Sequence, residues 1–408
     1  MQEKTSQTLG GAVVAPLKVE QEKGKKKWLV FFILGLVFLV GGVACLLVGL
    51  LKPEAEIAEL TFPKIPSSSP EAEVYSDLTG ELVASTTEKN LPAYCIQTPN
   101  GTDGARPQVG LTQAGVIFEA IAEAGITRFA AIYQEPTSAV IGPIRSLRMY
   151  YLDWDTPFDC TIVHAGGAAD ALAAVSRGGY RDLTEDYTYM YRGTHGERRW
   201  NNLFTTPTLL KQFNTNHGYL TSDIKGFNRM TPREARKQMV DNLVTEKLDI
   251  LQGTEKNTSE LTPKVSVINL RFGSSPTFNV KYDYDVASNK YMRSYGNGNA
   301  HDVYVCPEED LGKKDPEGLC ELKQMAPSVV VAMVVNEKRA SDNYHEDITT
   351  SGTGNVVIFQ NGDVVQGTWR KDTQKDQIKF FNKDGEEIKL APGQTFVSAI
   401  PNYGGIEY

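Results

Sequence analysis

Short apolar runs recur along most of the chain, and one run near the N-terminus is much longer than the others. Residues 28–51, WLVFFILGLVFLVGGVACLLVGLL, contain no charged side chain. About 20 apolar residues in a helix cross the hydrocarbon core of a bilayer, so this run predicts one transmembrane helix. Four lysines lie within residues 23–27. The positive-inside rule therefore predicts a cytoplasmic tail over residues 1–27 and an extracellular location for the bulk of the chain.

We expect this anchor to remain uncleaved, because no suitable small-residue cleavage site follows Leu51. Cys45 follows a Gly-Val-Ala triplet that is similar to a lipoprotein processing site, but the leucine expected three residues before such a cysteine is absent. Lipidation of Cys45 therefore stays open. Residues 52–74 are rich in proline, serine and glutamate without periodicity, which is typical of a solvated linker.

The pattern of residues 75–238 predicts an α/β domain. Residues Leu111–Ala124 carry apolar side chains at helical spacing, and Gly125 is a typical helix end. In this predicted helix Glu119 and Glu123 lie one turn apart on one side. The other predicted elements are strands over Tyr94–Gln97, Phe129–Tyr133 and Cys160–Val163, a helical or extended segment over Arg145–Trp154, and a helix over Ala168–Val175.

Residues 239–264 are polar and turn-rich, and we interpret them as a connection to a second domain. Residues 265–408 predict a mostly antiparallel β domain, in which Asn361-Gly362 and Asp384-Gly385 are strong hairpin signals. The strands predicted in this domain are Val265–Leu270, Phe278–Tyr284, Tyr291–Arg293, Ser328–Val335, Asn355–Phe359, Val364–Trp369, Ile378–Phe381 and Thr395–Ile400.

Length and charge limit the classes of protein that fit this pattern. The 408 residues leave room for two or three domains. The net charge of −8 argues against nucleic-acid binding, which normally requires a basic face. Neither a Walker sequence nor GxGxxG is present, and no short CxxC or HxxxH spacing exists, so we predict no cofactor and no metal.

Four cysteines fall in the predicted extracellular part, where disulfides persist. Cys306 and Cys320 bracket a loop rich in glycine, proline and charge, and a disulfide there would stabilise the fold by about 3 kcal/mol. We predict this pair. Cys95 and Cys160 lie in strand-like runs, and the sequence leaves open whether they are bonded or free buried thiols.

Candidate functional residues concentrate between Gly125 and Gly167. Arginine forks bind carboxylate or phosphate through two hydrogen bonds, so an arginine-rich cleft predicts an anion site. Arg106, Arg128, Arg145 and Arg148 lie in segments that we expect to come together. A structural network is the alternative, with Glu119, Glu123, Asp153 and Asp159 as partners of these arginines.

A second set of candidates follows the predicted strand Cys160–Val163. His164 precedes Gly166-Gly167 and a predicted helix start, where exposed amides attract anions. A histidine at a strand end is equally often only a structural hydrogen-bond former. In the β domain, Arg293 and His301-Asp302 form another candidate cluster that could face the first domain and complete a cleft.

Long stretches of the chain resemble the YerB-like family, which is known as a domain of unknown function in bacterial envelope proteins. In the first domain these are DLTGELV, ARPQVGLTQAGVIFEAIAEAGITRFAAIY, IGPIRSLRMYYLD, VHAGG and NNLFTT. In the second they are YMRSYGNGNAHD, NVVIFQNGDVVQGTW and FFNKDGEEIKLAPGQTFVSAIP. The resemblance covers roughly three quarters of the chain and implies an envelope protein without implying a reaction.

Two departures from the family pattern bear on function. Family members are often lipoproteins, whereas this sequence resembles a variant with a transmembrane anchor. The pattern also places a histidine where Asn201 stands in NNLFTT. If that histidine were a catalytic base or metal ligand, this chain would lack it, which weakens an enzymatic interpretation.

Three functions remain open from the sequence. The first is binding of an anionic or glycan cell-wall ligand by a membrane-anchored extracellular protein, with Arg106, Arg128, Arg145, Ser146, Arg148, His164, Gly166, Gly167, Arg293, His301 and Asp302 as ligand-binding residues. The second is a wall-polymer hydrolase or transferase that uses His164 with a carboxylate. Ser146 lacks the G-x-S-x-G elbow, and Glu119 with Glu123 would make an unusual glycosidase pair. The third is a scaffold for an envelope enzyme complex.

Overall fold

The centre of the structure is a ten-stranded mixed sheet that draws strands from both halves of the chain. The structure is a computed structural model, and it describes residues 73–193, 201–251, 263–307 and 320–408. All of these lie within one unit, Lys64–Tyr408. The predicted cytoplasmic tail, transmembrane helix and Cys45, and nearly all of the predicted linker, lie outside the described residues. No helix within the described ranges is long and apolar enough to cross a membrane.

The described ranges contain mostly short strands and a few helices. The strands are β1 (Val74–Tyr75), β2 (Leu82–Val83), β3 (Ala93–Pro99), β4 (Val116–Glu123), β5 (Ile126–Gln134), β6 (Thr161–His164), β7 (Arg181–Thr184), β8 (Tyr191–Arg192), β9 (Leu203–Phe204), β10 (Val267–Leu270), β11 (Val280–Asp285), β12 (Lys290–Tyr295), β13 (Asp302–Val305), β14 (Glu321–Gln324), β15 (Val329–Val334), β16 (Glu337–Arg339), β17 (Glu346–Ile348), β18 (Gly352–Gln360), β19 (Asp363–Lys371), β20 (Lys379–Asn382), β21 (Thr395–Ile400) and β22 (Ile406–Glu407). The α-helices are α1 (Thr86–Lys89), α2 (Met149–Asp155), α3 (Ala169–Ser176), α4 (Pro207–His217) and α5 (Pro232–Leu251).

The large sheet has the strand order β20-β19-β18-β15-β21-β4-β5-β3-β6-β7. β21 lies between β15 and β4 and runs parallel to both, pairing Thr395 with Val329 on one side and with Val116 on the other. Since β4 belongs to the first predicted domain and β21 to the second, residues 75–238 and 265–408 contribute to one continuous sheet.

The predicted helix over Leu111–Ala124 is wrong, because most of this segment forms β4. Its eight residues, Val116–Glu123, are all buried, with hydrogen-bonded neighbours on both sides. A strand covered on both faces reads as a nearly continuous apolar run, which periodicity alone does not distinguish from a buried helix. Ala124 and Gly125 have φ values of 49° and 77°, so this pair forms a tight turn into β5 instead of a helix end.

The predictions for residues 265–408 are largely confirmed. Each predicted strand overlaps a strand of the structure, and the Asn361-Gly362 pair, with φ values of 53° and 69°, joins β18 to β19. A separate four-stranded antiparallel sheet has the order β12-β11-β10-β22. The whole is therefore a mostly β fold with a large mixed sheet, antiparallel C-terminal sheets and few helices.

Packing on both faces of β4 explains its burial. Phe118 points to the face covered by α2, where its ring stacks on Trp154 with centroids 5.3 Å apart. Ile117 points to the opposite face, into a cluster that includes Leu210 and Phe213 of α4. Side chains alternate between faces along a strand, so a polar residue on β4 lies in one of two separate environments.

Both possible disulfides are present. Cys306–Cys320 connects the chain just after β13 to the residue just before β14, as the sequence predicts. Cys95–Cys160 ties β3 to the residue that precedes β6 and is buried in the core, which resolves the choice that the sequence left open in favour of a bond.

Candidate functional site

A buried carboxylate at the end of β4 is held by two arginines. Glu123 Oε1 accepts a hydrogen bond from Arg128 Nη2 at 2.7 Å, and Oε2 accepts one from Arg148 Nη2 at 2.5 Å. The three side chains are 9%, 3% and 5% exposed. Arg128 also donates to the carbonyl of Ser146, and Arg148 to that of Leu147. These bonds connect β4, β5 and the segment before α2.

A β-bulge brings Glu123 to the same face of the sheet as Arg128. The register between β4 and β5 shifts between Ile121 and Glu123. An extra residue in one strand reverses the face to which the following side chains point. Glu119, which lies before the bulge, points to the opposite face, where it accepts a hydrogen bond from Thr127 Oγ1 at 2.8 Å.

Arg145 adds a third guanidinium group beside Glu123. We call Glu123, Arg128, Arg145 and Arg148 the arginine cluster. Arg145 is half-buried, and no acidic side chain among the described residues forms an ion pair with it. The Nε atoms of all three arginines are buried and have no hydrogen-bond partner within the described ranges. The cluster therefore retains donors that its own carboxylate does not use.

Positive charge is in excess in the arginine cluster. Burial alone would raise the pKa of Glu123, but the charges of Arg128 and Arg148 outweigh it and hold that pKa below its ordinary value. Burial, with the repulsion of Arg148, lowers the pKa of Arg128 to about 10. Burial likewise lowers the pKa of Arg145, against the attraction of Glu123. Asp103 also acts on Arg145, so three guanidinium groups are opposed by two carboxylates, and a further anion would be attracted here.

The rim of the cluster is formed by backbone on either side of Gly166 and Gly167. The amide of Leu147 donates to the carbonyl of Gly166 at 3.0 Å. A Cβ on Gly167 would lie 3.0 Å from the carbonyl oxygen of Leu147, so only glycine allows this approach without displacement. Ser146, Gly166 and Gly167 are half-buried and lie just before α3. The fold thus brings together the predicted residues of the segments 145–148 and 166–167.

His164 is fully buried, and both of its ring nitrogens are engaged. Nδ1 lies 2.7 Å from the carbonyl oxygen of Gly166, and Nε2 lies 2.8 Å from Asp182 Oδ1. Both partners are acceptors within the protein, so each ring nitrogen is already occupied and neither is open to a substrate. This geometry fits the structural interpretation of His164.

The second glutamate, Glu119, lies in a closed polar cluster on the opposite face. Its Oε2 accepts from Arg293 Nη2 at 2.8 Å, and both side chains are 0% exposed. Arg293 Nη1 donates to His301 Nδ1, and His301 Nε2 lies 3.1 Å from Gln108 Oε1. Burial and the charges of Arg293 and Arg106 hold the pKa of His301 well below its ordinary value. His301 is therefore neutral, with its proton on Nε2. We call this group the Glu119 cluster.

Arg106 joins the Glu119 cluster. Its Nε donates to Asn100 Oδ1 at 2.8 Å, and its guanidinium lies 3.7 Å from the centroid of the Tyr295 ring. Asn100 Nδ2 in turn lies 3.3 Å from Glu119 Oε1. Arg106 Nη2 is buried without a hydrogen-bond partner in the described ranges. This network joins residues from both predicted domains around a single carboxylate.

The predicted ligand-binding residues consequently do not line one cleft. One group lies at the arginine cluster: Arg128, Arg145, Ser146, Arg148, Gly166 and Gly167. Another group belongs to the Glu119 cluster on the other face of β4: Arg106, Arg293 and His301. Asp302 is half-buried at the start of β13. The predicted helix would have presented Glu119 and Glu123 on one side. In the bulged strand they face opposite ways.

The alternative of a structural network is confirmed for part of the set. Glu123 pairs with Arg128 and Arg148, as that alternative predicted, whereas Glu119 forms its ion pair with Arg293, outside the four arginines. Asp159 pairs with Arg181, and Asp153 accepts from Thr350 and Gln374. Sequence reasoning missed Asn100, Gln108 and Tyr295, since no local pattern signals their distant partners.

Asn201, which the sequence singles out within NNLFTT, has a structural role. It is buried, and its Nδ2 donates to the backbone carbonyl and to Oδ1 of Asp103 at 3.0 and 3.1 Å. Among the described residues, no group of three or more histidine, cysteine, aspartate or glutamate side chains is arranged to hold a metal ion.

A mixed sheet built from two sequence regions, with a positively charged cluster on its central strands, defines a two-part, mostly β protein. Two family models match the chain: the N-terminal domain of "Protein of unknown function (DUF3048)" over residues 78–220 and the C-terminal domain of the same family over residues 268–397. The chain therefore belongs to this YerB-like family, and the resemblance noted in the sequence is confirmed.

Two comparisons with individual proteins agree with this assignment. The chain is 25% identical over 309 residues to "Putative lipoprotein YerB" of Bacillus subtilis strain 168, covering 74% of this chain and 80% of that protein. The crystal structure of the YerB protein from Bacillus subtilis superimposes with a TM-score of 0.64 at 21% identity, covering 82% of this chain and 99% of that one. The second comparison establishes the similarity of the fold alone.

Proposed function

We propose that this protein is a membrane-anchored extracellular envelope protein whose arginine cluster binds an anionic group, a carboxylate or a phosphate, of a cell-wall polymer. The observation that carries the proposal is the excess of charge: Arg128 and Arg148 bond Glu123, Arg145 lies in the field of Glu123 and Asp103, and the Nε donors of the three arginines have no partner among the described residues. Guanidinium groups recognise carboxylate and phosphate through paired hydrogen bonds.

The location of the charged groups supports binding from solvent. Arg128 and Arg148 are held by Glu123 in the interior, whereas Arg145 and Ser146 are half-buried and lie next to Gly166 and Gly167. An anion at this rim would meet Arg145 first and would gain the field of the two deeper arginines. The Glu119 cluster is a poorer candidate, because its central ion pair is fully buried.

Membrane attachment is part of the proposal. The uncharged run of residues 28–51, preceded by lysines, supports a single span with the N-terminus in the cytoplasm. The word "lipoprotein" in the name of the Bacillus subtilis relative supports an envelope location by a different anchor. Both are compatible with a binding domain held outside the cell by the predicted linker, residues 52–74.

The hydrolase or transferase alternative receives less support. Such chemistry requires a base with a nitrogen or oxygen that a substrate can reach, and both nitrogens of the buried His164 side chain are engaged with protein acceptors. The scaffold alternative makes a different prediction, because a scaffold that acts only through other proteins has no affinity for wall material.

The test measures equilibrium binding of the purified full-length protein to soluble poly(glycerol phosphate) and to purified wall fragments. We expect affinity that falls as salt rises, and an Arg145→Gln variant that binds about 10-fold more weakly, because one charge-assisted hydrogen bond is lost. Arg177→Gln, which removes the same charge from an exposed position at the end of α3, is the matched control and should bind as the wild type does.

Three results would count against the proposal. Equal weakening by Arg145→Gln and Arg177→Gln would reduce the interaction to a general effect of net charge. Release of soluble products from wall fragments, abolished by His164→Ala, would establish an enzyme. Complete lack of binding to either material would favour the scaffold.

A further inference from the structure

A polar trough lies on the outermost strands of the large sheet, away from both charged clusters. Its volume is about 730 Å³, within the range of small-molecule sites. The outward positions of β18 and β19 supply uncharged hydrogen-bonding side chains, and two aromatic rings contribute to the lining. The trough is defined by Thr353, Asn355, Gln366, Thr368, Phe381 and Tyr403.

Strand pairing arranges these side chains in rows. Asn355 pairs with Thr368, and Thr368 pairs with Phe381, so an amide, a hydroxyl and an aromatic ring lie side by side across three strands. Neighbouring strands are about 4.8 Å apart, which is the reach of adjacent groups on one small ligand. Asn355 and Thr368 are exposed, and neither side chain hydrogen-bonds to a described residue. Their donors and acceptors are available to a ligand.

The walls of the trough are held in place by the fold. A Cβ on Gly367 would lie 2.0 Å from the carbonyl oxygen of Phe381, so glycine is required for β20 to approach β19 this closely. On the other side, Gln366 Nε2 donates to the hydroxyl of Tyr408 at 2.5 Å, and the Tyr408 ring packs on Phe359 with centroids 5.1 Å apart. These contacts orient the trough before any ligand arrives.

One of the two cationic side chains that line the trough is already paired within the protein. Arg370 forms an ion pair with Asp372 at 2.6 Å, which leaves Lys383 as the other cation of the lining. Amide and hydroxyl groups can each donate to and accept from sugar hydroxyls, and an aromatic ring offers an apolar face to the carbon skeleton of a sugar ring. We infer that this trough is a binding site for an uncharged oligosaccharide segment. The inference deepens the proposed binding of a wall polymer, but it uses residues that the arginine cluster does not share.

The test is isothermal titration calorimetry of the purified full-length protein with a soluble tetramer of N-acetylglucosamine and with cellotetraose. We expect binding of at least one tetramer, unchanged by added salt. Asn355→Ala should weaken it about 5-fold, through the loss of hydrogen bonds. Tyr403→Ala should weaken it about 10-fold, whereas Tyr403→Phe, which keeps the ring, should bind nearly as the wild type does. Gln212→Ala, an exposed amide on α4, is the control.

The inference would be overturned if neither tetramer gave a binding signal. An equal loss of affinity in Asn355→Ala and Gln212→Ala would overturn it as well. Circular dichroism of each variant checks that these exposed positions leave the fold intact. Arg145→Gln should leave tetramer binding unchanged and Asn355→Ala should leave poly(glycerol phosphate) binding unchanged, so the two sites can fail separately. Loss of both ligands in either single variant would contradict the trough as a site of its own.

Discussion

Glu123→Gln is the substitution that most directly perturbs the arginine cluster. The change keeps the shape of the side chain but removes the only carboxylate that bonds Arg128 and Arg148 in the cluster. An amide oxygen can still accept one hydrogen bond, while its NH2 group must face a guanidinium donor. The variant therefore leaves three positively charged side chains close together in a largely buried site.

The expected loss of stability follows from the burial of this site. All three side chains of the ion-paired group are less than a tenth exposed, so screening by solvent is small. Removing one partner of a buried ion pair costs about 3–5 kcal/mol, and the hydrogen bond that glutamine retains favours the lower end, about 3 kcal/mol. An exposed pair should cost much less: Asp241→Asn, which breaks the Lys237–Asp241 pair, should cost under about 1 kcal/mol.

Urea unfolding of the full-length protein, followed by tyrosine and tryptophan fluorescence, measures these differences. Because the folded pKa of Glu123 lies below its ordinary value, its stabilising effect is present above that ordinary value and is lost as pH falls through the folded one. The difference in the free energy of unfolding between the wild type and Glu123→Gln should therefore disappear at acidic pH. Phosphate should restore part of the variant's stability at matched ionic strength, since it supplies the missing negative charge. This account of the cluster would be refuted if Glu123→Gln were as stable as the wild type at neutral pH. It would also be refuted if chloride restored the stability of the variant as well as phosphate does.

Two further predictions concern stability elsewhere in the fold. Replacing both cysteines of the Cys95–Cys160 disulfide by alanine should lower the free energy of unfolding by about 4 kcal/mol, because this bond closes a loop of 65 residues. The same replacement of Cys306–Cys320, which closes a loop of 14 residues, should lower it by about 3 kcal/mol. Urea unfolding that gives the reverse order would contradict this ranking. Burial, together with the charge of Glu346, raises the pKa of Glu337 to about 7. The protonated Glu337 side chain therefore stabilises the fold fully at pH below the ordinary pKa of glutamate, and this stabilisation is lost as the pH rises to about 7. The wild type should lose about 1–2 kcal/mol across that interval, after allowance for partial exposure, and Glu337→Gln should not; parallel pH profiles of the two proteins would rule this out.

The β-rich second half of the chain was predictable because its signals are local. The Asn361-Gly362 turn and the alternating runs on either side of it specify β18 and β19 without reference to distant residues. Val116–Glu123 misled the prediction for the opposite reason. Its neighbours β21 and β5 cover both edges and the core clusters cover both faces, so no polar alternation remains to mark it as a strand.

The pairing of Glu123 with arginines was predictable from the sequence, but the arrangement of the candidate residues was not. That Arg128, Arg145 and Arg148 bind an anion stays a prediction, and Glu123 is their partner in the structure for Arg128 and Arg148. Whether Glu123 joins them depends on one extra residue in β4, and such a bulge leaves no periodic trace in a buried strand. The contact between Arg293 and Glu119 spans 174 positions of sequence, so only the fold reveals it.

The most direct test of the central claim observes the arginine side chains themselves. In the full-length protein labelled with 15N-arginine, titration with soluble poly(glycerol phosphate) should shift the Nε–H resonances of Arg128, Arg145 and Arg148, with the largest shift at Arg145. The resonance of Arg293, which is fully buried against Glu119, should stay in place. Binding of the polymer without movement of the Arg145 signal would contradict the assignment of the arginine cluster as the anion site.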